Sequence, residues 1–275
     1  MKYKLLGLLI EESVAIVTLN RPEVLNAINT ELLEELNSCL DFIVKPESGV
    51  RCLLLTGAGR GFCVGGDLAA SPESVQSKSG AKSGDEPAGT RDFGLLLERY
   101  YNPLLQRLVK LPIPFVTAVN GPAAGAGCSL ALAADIVIAS KSAYFLQAFV
   151  NIGLVPDMGS SWMLPRLVGK ARAQAMMMLG EKIPAKTAHE WGMIWQMVED
   201  DALIETAKST ALRLARGPTK TLGLIRNMAH HALESDLSSA LQMERDTQCE
   251  AGQSNDCTEG IAAFVQKRPA KFTGT

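Results

Sequence analysis

The sequence predicts an α/β protein on three observations. Strands alternate with helices at the spacing of βαβ units, two glycine-rich turns follow predicted strands, and the chain reads as helix from Asp200 to its end. The first strand is the β-branched run Val14 to Leu19. Asn29 or Thr30 then caps a helix in which Leu32, Leu33, Leu36, Cys39, Leu40 and Ile43 recur at three-and-four spacing, with Glu31 favourably placed in its first turn. Arg51 to Thr56 (RCLLLT) is a buried strand ending in the turn Gly57-Ala58-Gly59. Residues 69–90 change composition sharply, with five Ser, three Gly, two Pro and Val75 as the one large apolar residue, and predict a mobile flap or lid. A helix from about Arg91 to Lys110, strand Phe115 to Val119, turn Asn120 to Ala126, a small-residue helix around Cys128 to Ala133 and strand Asp135 to Ala139 follow in order. No internal repeat is visible, and the sum is an α/β core of about 200 residues with a helical tail.

Composition narrows the class of partner. The 275 residues are 47% hydrophobic and 20% charged with a net charge of -2, which excludes a disordered, collagen-like or coiled-coil chain. A chain of this length buries a core without metal or disulfide staples. Near-neutral charge with no long run of Lys or Arg argues against a nucleic-acid partner, and no segment approaches the ~20 apolar residues of a membrane span. The cysteines at 39, 52, 63, 128, 249 and 257 form neither a Cys-x-x-Cys pair nor a Cys/His cluster, so reduced thiols in a cytoplasmic protein and no metal site are expected. Met1 to Lys4 followed by Leu5 to Ile10 mimics a signal peptide, but Glu11 and Glu12 cut the apolar stretch below the ~7 to 15 residues that export requires.

Three segments carry candidate chemistry. The turns Arg60 to Asp67 (RGFCVGGD) and Asn120 to Gly127 (NGPAAGAG) are built of small residues, which let a ligand approach the backbone so that N–H groups can bind a carbonyl oxygen or oxyanion. Either one alone is more often a tight turn, because glycine is the default residue for positive φ. The third segment, Gly153 to Gly159 (GLVPDMG), sets Asp157 among apolar residues before a helix containing Trp162, Leu164 and Leu167. An Asp there either caps the helix or is buried, in which case desolvation raises its pKa and makes it a better base near neutral pH. Position alone does not choose.

In combination, Leu19-Asn20-Arg21-Pro22 with Asn26-Ala27, Gly61 to Asp67, Asn120-Gly121 with Gly125-Ala126-Gly127 and Asp135, Gly153 to Gly159, and Phe264 to Arg268 resemble the crotonase (enoyl-CoA hydratase/isomerase) superfamily nearly end to end. The stretches CLLLTGAGRGFC, GLVPDMGSSW, LPRLVGKARA and AHEWGMIWQ are most similar to its ring-epoxide isomerases of phenylacetate degradation. The resemblance implies a crotonase-like spiral of ββα units over residues 1–200 and a C-terminal helical region, 201–275, that joins subunits into a trimer or dimer of trimers. It implies acyl-CoA substrates, with no cofactor beyond the coenzyme A of the substrate, and an oxyanion hole made of the Gly66 and Ala126 N–H groups. By the same resemblance Asp67, Ser129 and Phe149 contact substrate, Phe264 and Lys267 lie near the CoA adenosine, and Arg21 lies near the CoA phosphates.

Departures from the family pattern bear on the reaction. The family's hydratases hold water between two glutamates, and those positions here read Ser129 and Phe149. A phenyl ring transfers no proton and a lone serine is a poor base, whereas Asp157 matches the place where some isomerases of the family carry their acid. The expectation is an acyl-CoA isomerase in which Asp157 moves a proton, shifting a double bond or rearranging a ring epoxide. The alternatives are an enoyl-CoA hydratase of fatty-acid β-oxidation and an inert acyl-CoA-binding protein. A serine hydrolase is a further rival, because Gly127-Cys128-Ser129-Leu130-Ala131 passes for a degenerate nucleophile elbow; its histidines would be His189, on an amphipathic helix, or His230 and His231, which read as solvent-facing. Met176 to Met178 read as core or acyl-pocket residues, and Trp162, Trp191 and Trp195 as packing residues.

Overall fold

The computed structural model describes residues 3–68 and 93–275, so the flap expected at 69–90 lies outside the described residues, as does the start expected at Arg91 for the helix that follows. The stretch that mimics a signal peptide is a strand, β1 (Leu6–Glu11), paired antiparallel with β2 (Val14–Leu19). Their two-residue connection holds Glu12 and Ser13 at φ of 45° and 66°, the left-handed pair that matches the twist of a tight hairpin. Helix α1 (Thr30–Ile43) begins where expected, with the Asn29 side chain accepting a hydrogen bond from the Leu32 N–H.

Beyond β3 (Cys52–Gly57), a short helix α2 (Phe93–Leu96), a π turn (Leu97–Tyr101) and α3 (Asn102–Val109) lead into β4 (Phe115–Val119). Strand β5 (Pro122–Ala124) lies inside the second glycine-rich turn and runs into α4 (Ala126–Leu132). Next come β6 (Ile136–Ser140), β7 (Tyr144–Leu146), α5 (Ser160–Leu179), β8 (Lys182–Pro184), α6 (Ala185–Glu190) and β9 (Gln196–Val198). The chain ends in α7 (Leu203–Ala215), α8 (Thr219–Ala232), α9 (Leu237–Gly252) and α10 (Asn255–Val265).

The main sheet has the order β1-β2-β3-β4-β6-β9, parallel except for its first pair, and a smaller sheet has the order β5-β7-β8. Parallel bridges between Ile28 and Gly66 and between Cys63 and Ala123 prolong the smaller layer. After each of β2, β3, β4 and β6 the chain therefore steps into the second layer before returning, which is the expected spiral. The return strands are one to three residues long, so the repeat has almost no trace in the hydrophobic pattern.

Side chains alternate across the main sheet with the two-residue period of a strand. Val14, Ile16, Cys52, Leu54, Val116, Ala118 and Ile138 face α7 and meet Ala207, Ala211 and Ala215, small residues at helical spacing that let the helix lie close. The intervening Ala15, Val17, Leu19, Leu53, Leu55, Phe115 and Val119 face the opposite layer with α1, α3 and α4. Helix α7, which follows the boundary expected after residue 200, covers the outer face of the sheet. Arg226 of α8 is buried in an ion pair with Asp135 and also donates to the Leu111 and Ile113 carbonyls, and Asp135 accepts the Phe115 N–H at 2.7 Å. All six cysteines are unpaired, and no described helix is long and apolar enough to cross a membrane.

Leu54 is 1% exposed between α7 and its neighbouring strands. Leu54→Ala should therefore lose about 2–5 kcal/mol in urea unfolding, with the cavity left by the missing atoms adding to the transfer loss. A loss below ~1 kcal/mol would contradict this packing.

Candidate active site

A cavity of about 470 Å³ opens where the spiral's second layer meets the N-terminus of α4. Gly66, Asp67, Ala126, Phe149 and Asp157 line it, bringing together five of the nine site residues expected from sequence. The Ile28–Gly66 bridge is made through Ile28 N–H to the Gly65 carbonyl (2.7 Å) and Asp67 N–H to the Ile28 carbonyl (2.8 Å). Strand alternation then turns the intervening Gly66 N–H away from that pairing. Ala126 is the first residue of α4, so its N–H has no acceptor within the helix. Among the described residues, neither the Gly66 nor the Ala126 amide donates a hydrogen bond.

Two glycines make this arrangement possible. A Cβ on Gly127 would stand 2.1 Å from the Cys63 carbonyl oxygen, so only glycine allows the first turn of α4 to pack on that strand. Gly65, at φ 90°, touches the same region: a Cβ there would lie 2.9 Å from the Ala124 carbonyl oxygen and 3.2 Å from the Ala126 nitrogen. The two turns thus bear on each other as well as on their own strands.

The loop before α5 delivers Asp157. The cap position of α5 is Gly159 and no side chain caps the helix, so of the two readings open from sequence the structure selects burial. One carboxyl oxygen of Asp157 is buried without a hydrogen-bond partner, and burial lifts its pKa from the ordinary carboxylate value to about 6. The backbone here is held firmly: the Asp157 carbonyl accepts the Ser160 N–H at 3.0 Å and the Ser129 hydroxyl at 3.2 Å. The Ser129 and Ser160 hydroxyls are 2.5 Å apart.

Ser129 is therefore behind the cavity rather than on its wall, with 0% exposure, and its hydroxyl holds the Asp157 main chain. Its described hydrogen-bond partners are Asp157, Ser160 and Gly125, with no histidine among them, which removes the nucleophile-elbow reading. His230, expected to face solvent, is half-buried edge-on against Trp162 with ring centroids 6.0 Å apart. Phe149 lies beneath the Gly125 turn, with its ring 3.6 Å from where a Gly125 Cβ would be, and gives the wall an apolar face. Met176 is core, Met178 is exposed, and none of Met176 to Met178 lines the cavity; Trp195, expected to pack, is 68% exposed.

Arg21 does not reach out as a CoA-phosphate ligand would. Its guanidinium pairs with Asp67 at 2.8 Å and bonds the Ala27 carbonyl at 2.5 Å, both side chains of the pair being largely buried. Asn26, wholly buried, accepts the Arg21 N–H and donates to the Ala58 and Gly61 carbonyls, so the Arg21 to Ala27 segment braces the Gly66 loop. Phe264 and Lys267 are exposed at the end of α10, away from the cavity of this chain. A lining residue that sequence reasoning missed is Tyr101, at the end of the π turn. Its only sequence signal is an aromatic pair just before Pro103, inside an otherwise ordinary helical pattern.

Unbonded amides beside a carboxyl that titrates near neutrality can stabilise a developing oxyanion and move a proton next to it. A family profile described as Enoyl-CoA hydratase/isomerase matches residues 9–275. The chain is 48% identical to the 1,2-epoxyphenylacetyl-CoA isomerase of Escherichia coli K12, covering 96% of this chain and 97% of that protein. It is 42% identical to a probable enoyl-CoA hydratase of Rhodobacter capsulatus over the whole of both chains. Among solved structures, one from Streptomyces coelicolor A3(2) described as an enoyl-CoA hydratase superposes with a TM-score of 0.88 at 34% identity, covering 100% of this chain and 96% of that one. By sequence, fold and the make-up of its site, the chain belongs to the enoyl-CoA hydratase/isomerase (crotonase) family.

Proposed function

We propose that the chain is an acyl-CoA isomerase that works by proton transfer at C2. The observation that carries this reading is one unpaired carboxyl, Asp157, buried in a largely apolar cavity whose wall also offers the unbonded Gly66 and Ala126 amides. Asp157 takes a proton from C2 of a 3-enoyl-CoA, the C–H electron pair passes into an enolate, and the two amides hold the enolate oxygen as its charge develops. Each such donor supplies about 3 to 4 kcal/mol of transition-state stabilisation. Protonated Asp157 then returns the proton at C4 to give the 2-enoyl-CoA. With the ring epoxide of phenylacetyl-CoA, the same abstraction is followed by cleavage of an epoxide ring bond and rearrangement, and protonated Asp157 returns the proton to a ring carbon of the oxepin, so that no atom is gained or lost. The name of the E. coli relative favours the ring epoxide as the natural substrate.

Hydration is the weaker reading. Asp67, the other described carboxylate of the wall, is committed to Arg21, Ser129 is off the cavity, and Phe149 offers no base. The coenzyme A of the substrate is the one cofactor this chemistry needs. Leu237, Leu241, Ile261, Phe264 and Val265 are exposed on α9 and α10, which suits their burial between subunits of a trimer or dimer of trimers and a contact of Phe264 and Lys267 with CoA bound to a neighbour.

Asp157→Asn should cut turnover of 3-hexenoyl-CoA by about 10²–10⁴-fold, and near-wild-type turnover would sink the assignment. Parallel assays with a 3-enoyl-CoA, a 2-enoyl-CoA and the ring epoxide separate isomerisation from hydration. The base must be ionised, and its pKa is raised to about 6, so kcat/KM should climb as pH rises through that value and level off above it. A profile flat from about pH 5 to 8 would mean that another group carries the proton.

A further inference from the structure

The Tyr101 hydroxyl is a cavity group that neither the oxyanion hole nor the proton transfer uses. Pro103 has no N–H to offer the helix, and just before it the Asn102 N–H reaches back to the Leu97 carbonyl in the wide π turn. Tyr101 ends that turn and is its buried residue. The side chain is 4% exposed, packed in the core, yet it lines the cavity, and a Cβ on Gly66 would lie 3.4 Å from its oxygen. Burial, and then the Asp157 carboxylate, hold the phenol neutral and hence a donor. Among the described residues its hydroxyl makes no hydrogen bond. Phenylalanine would fill the same space, so packing does not require the hydroxyl, which faces the cavity with no partner among the described residues. Two other polar side chains of the wall are already engaged, Asn29 in capping α1 and Asn151 with the Gly180 carbonyl.

We propose that Tyr101 determines specificity: its hydroxyl donates a hydrogen bond to an oxygen borne by the acyl group beyond C2, so the site prefers a thioester with an oxygenated ring over the same thioester without that oxygen. This rests on the placement of the thioester oxygen at Gly66 and Ala126 and of C2 at Asp157. From that placement the acyl group continues past the Tyr101 oxygen, while Leu33, Leu96, Leu97 and Leu154 supply apolar wall.

The test is the affinity of the full-length protein for phenylacetyl-CoA and for 2-hydroxyphenylacetyl-CoA, measured by titration calorimetry on the wild type and on Tyr101→Phe. Neither thioester carries the epoxide or double bond that would isomerise. The wild type should bind the hydroxylated ligand about three- to tenfold more tightly, the worth of one neutral hydrogen bond. In Tyr101→Phe that ratio should fall to about one, chiefly through weaker binding of the hydroxylated ligand. No preference in the wild type, a preference that survives the substitution, or an equal weakening of both ligands overturns the proposal. Because the ratio needs no turnover, its failure is distinct from a failure of the isomerase reading, which shows in the Asp157→Asn assays.

Discussion

The close approach of the Cys63–Gly66 strand to the first turn of α4 governs most of what surrounds it. In the proposed mechanism two amides from distant parts of the chain reach one oxygen atom, and backbone can come that near to backbone only where side chains are missing. Gly127 against the Cys63 carbonyl and Gly65 against Ala124 and Ala126 meet that requirement. The same carbonyl accepts the Ala124 N–H at 2.9 Å, so the contact is hydrogen-bonded as well as close. Everything else keeps these two segments in register. The parallel pairing of β3 with β4 sets their starting points, the Arg21–Asp67 pair clamps the far side of the Gly66 loop, and α7 with its row of alanines backs the sheet.

Asp157, the proposed proton-transfer group, is held in the opposite way. Where the amides are fixed by contact, Asp157 is fixed by its backbone and left with an unsatisfied carboxyl oxygen. A carboxylate with one oxygen out of water and unpartnered is costly, and that partial burial is what moves its pKa toward neutrality. A basic neighbour would relieve the cost and return the group to an ordinary, weakly basic carboxylate. Arg21 is instead consumed by Asp67, which leaves the interior around Asp157 without a described cation partner. The Ser129–Ser160 pair supports the main chain at Asp157 without touching the carboxyl. Position and basicity are thus controlled by different residues.

Much of this was legible in the amino-acid order. The β-branched run Val14–Leu19 marks its strand to the residue, and the three-and-four spacing marks α1 with its start at Asn29 or Thr30, because both bury their apolar residues. The glycine turns and Asp157 were visible as chemistry-bearing types, and the resemblance supplied their roles. What escaped has physical reasons. β1 hid because its turn residues are Glu12 and Ser13, neither of which advertises positive φ. The second layer hid because strands of one to three residues have no measurable period. For Arg21 and Ser129 a residue on a site, beside it or behind it looks alike in sequence; the ion pair to Asp67 and the bond to the Asp157 carbonyl become visible only in the fold. Tyr101 was masked by a helical pattern that gives no sign of a π turn.

The central claim is that Asp157 and the Gly66 and Ala126 amides labilise a proton at C2 of a bound thioester, whatever rearrangement follows. Incubating the protein with phenylacetyl-CoA in D₂O and following the C2 protons by NMR isolates that step. The account predicts exchange of deuterium into C2 by the wild type and its disappearance in Asp157→Asn. No exchange in the wild type, or equal exchange in both proteins, would contradict it.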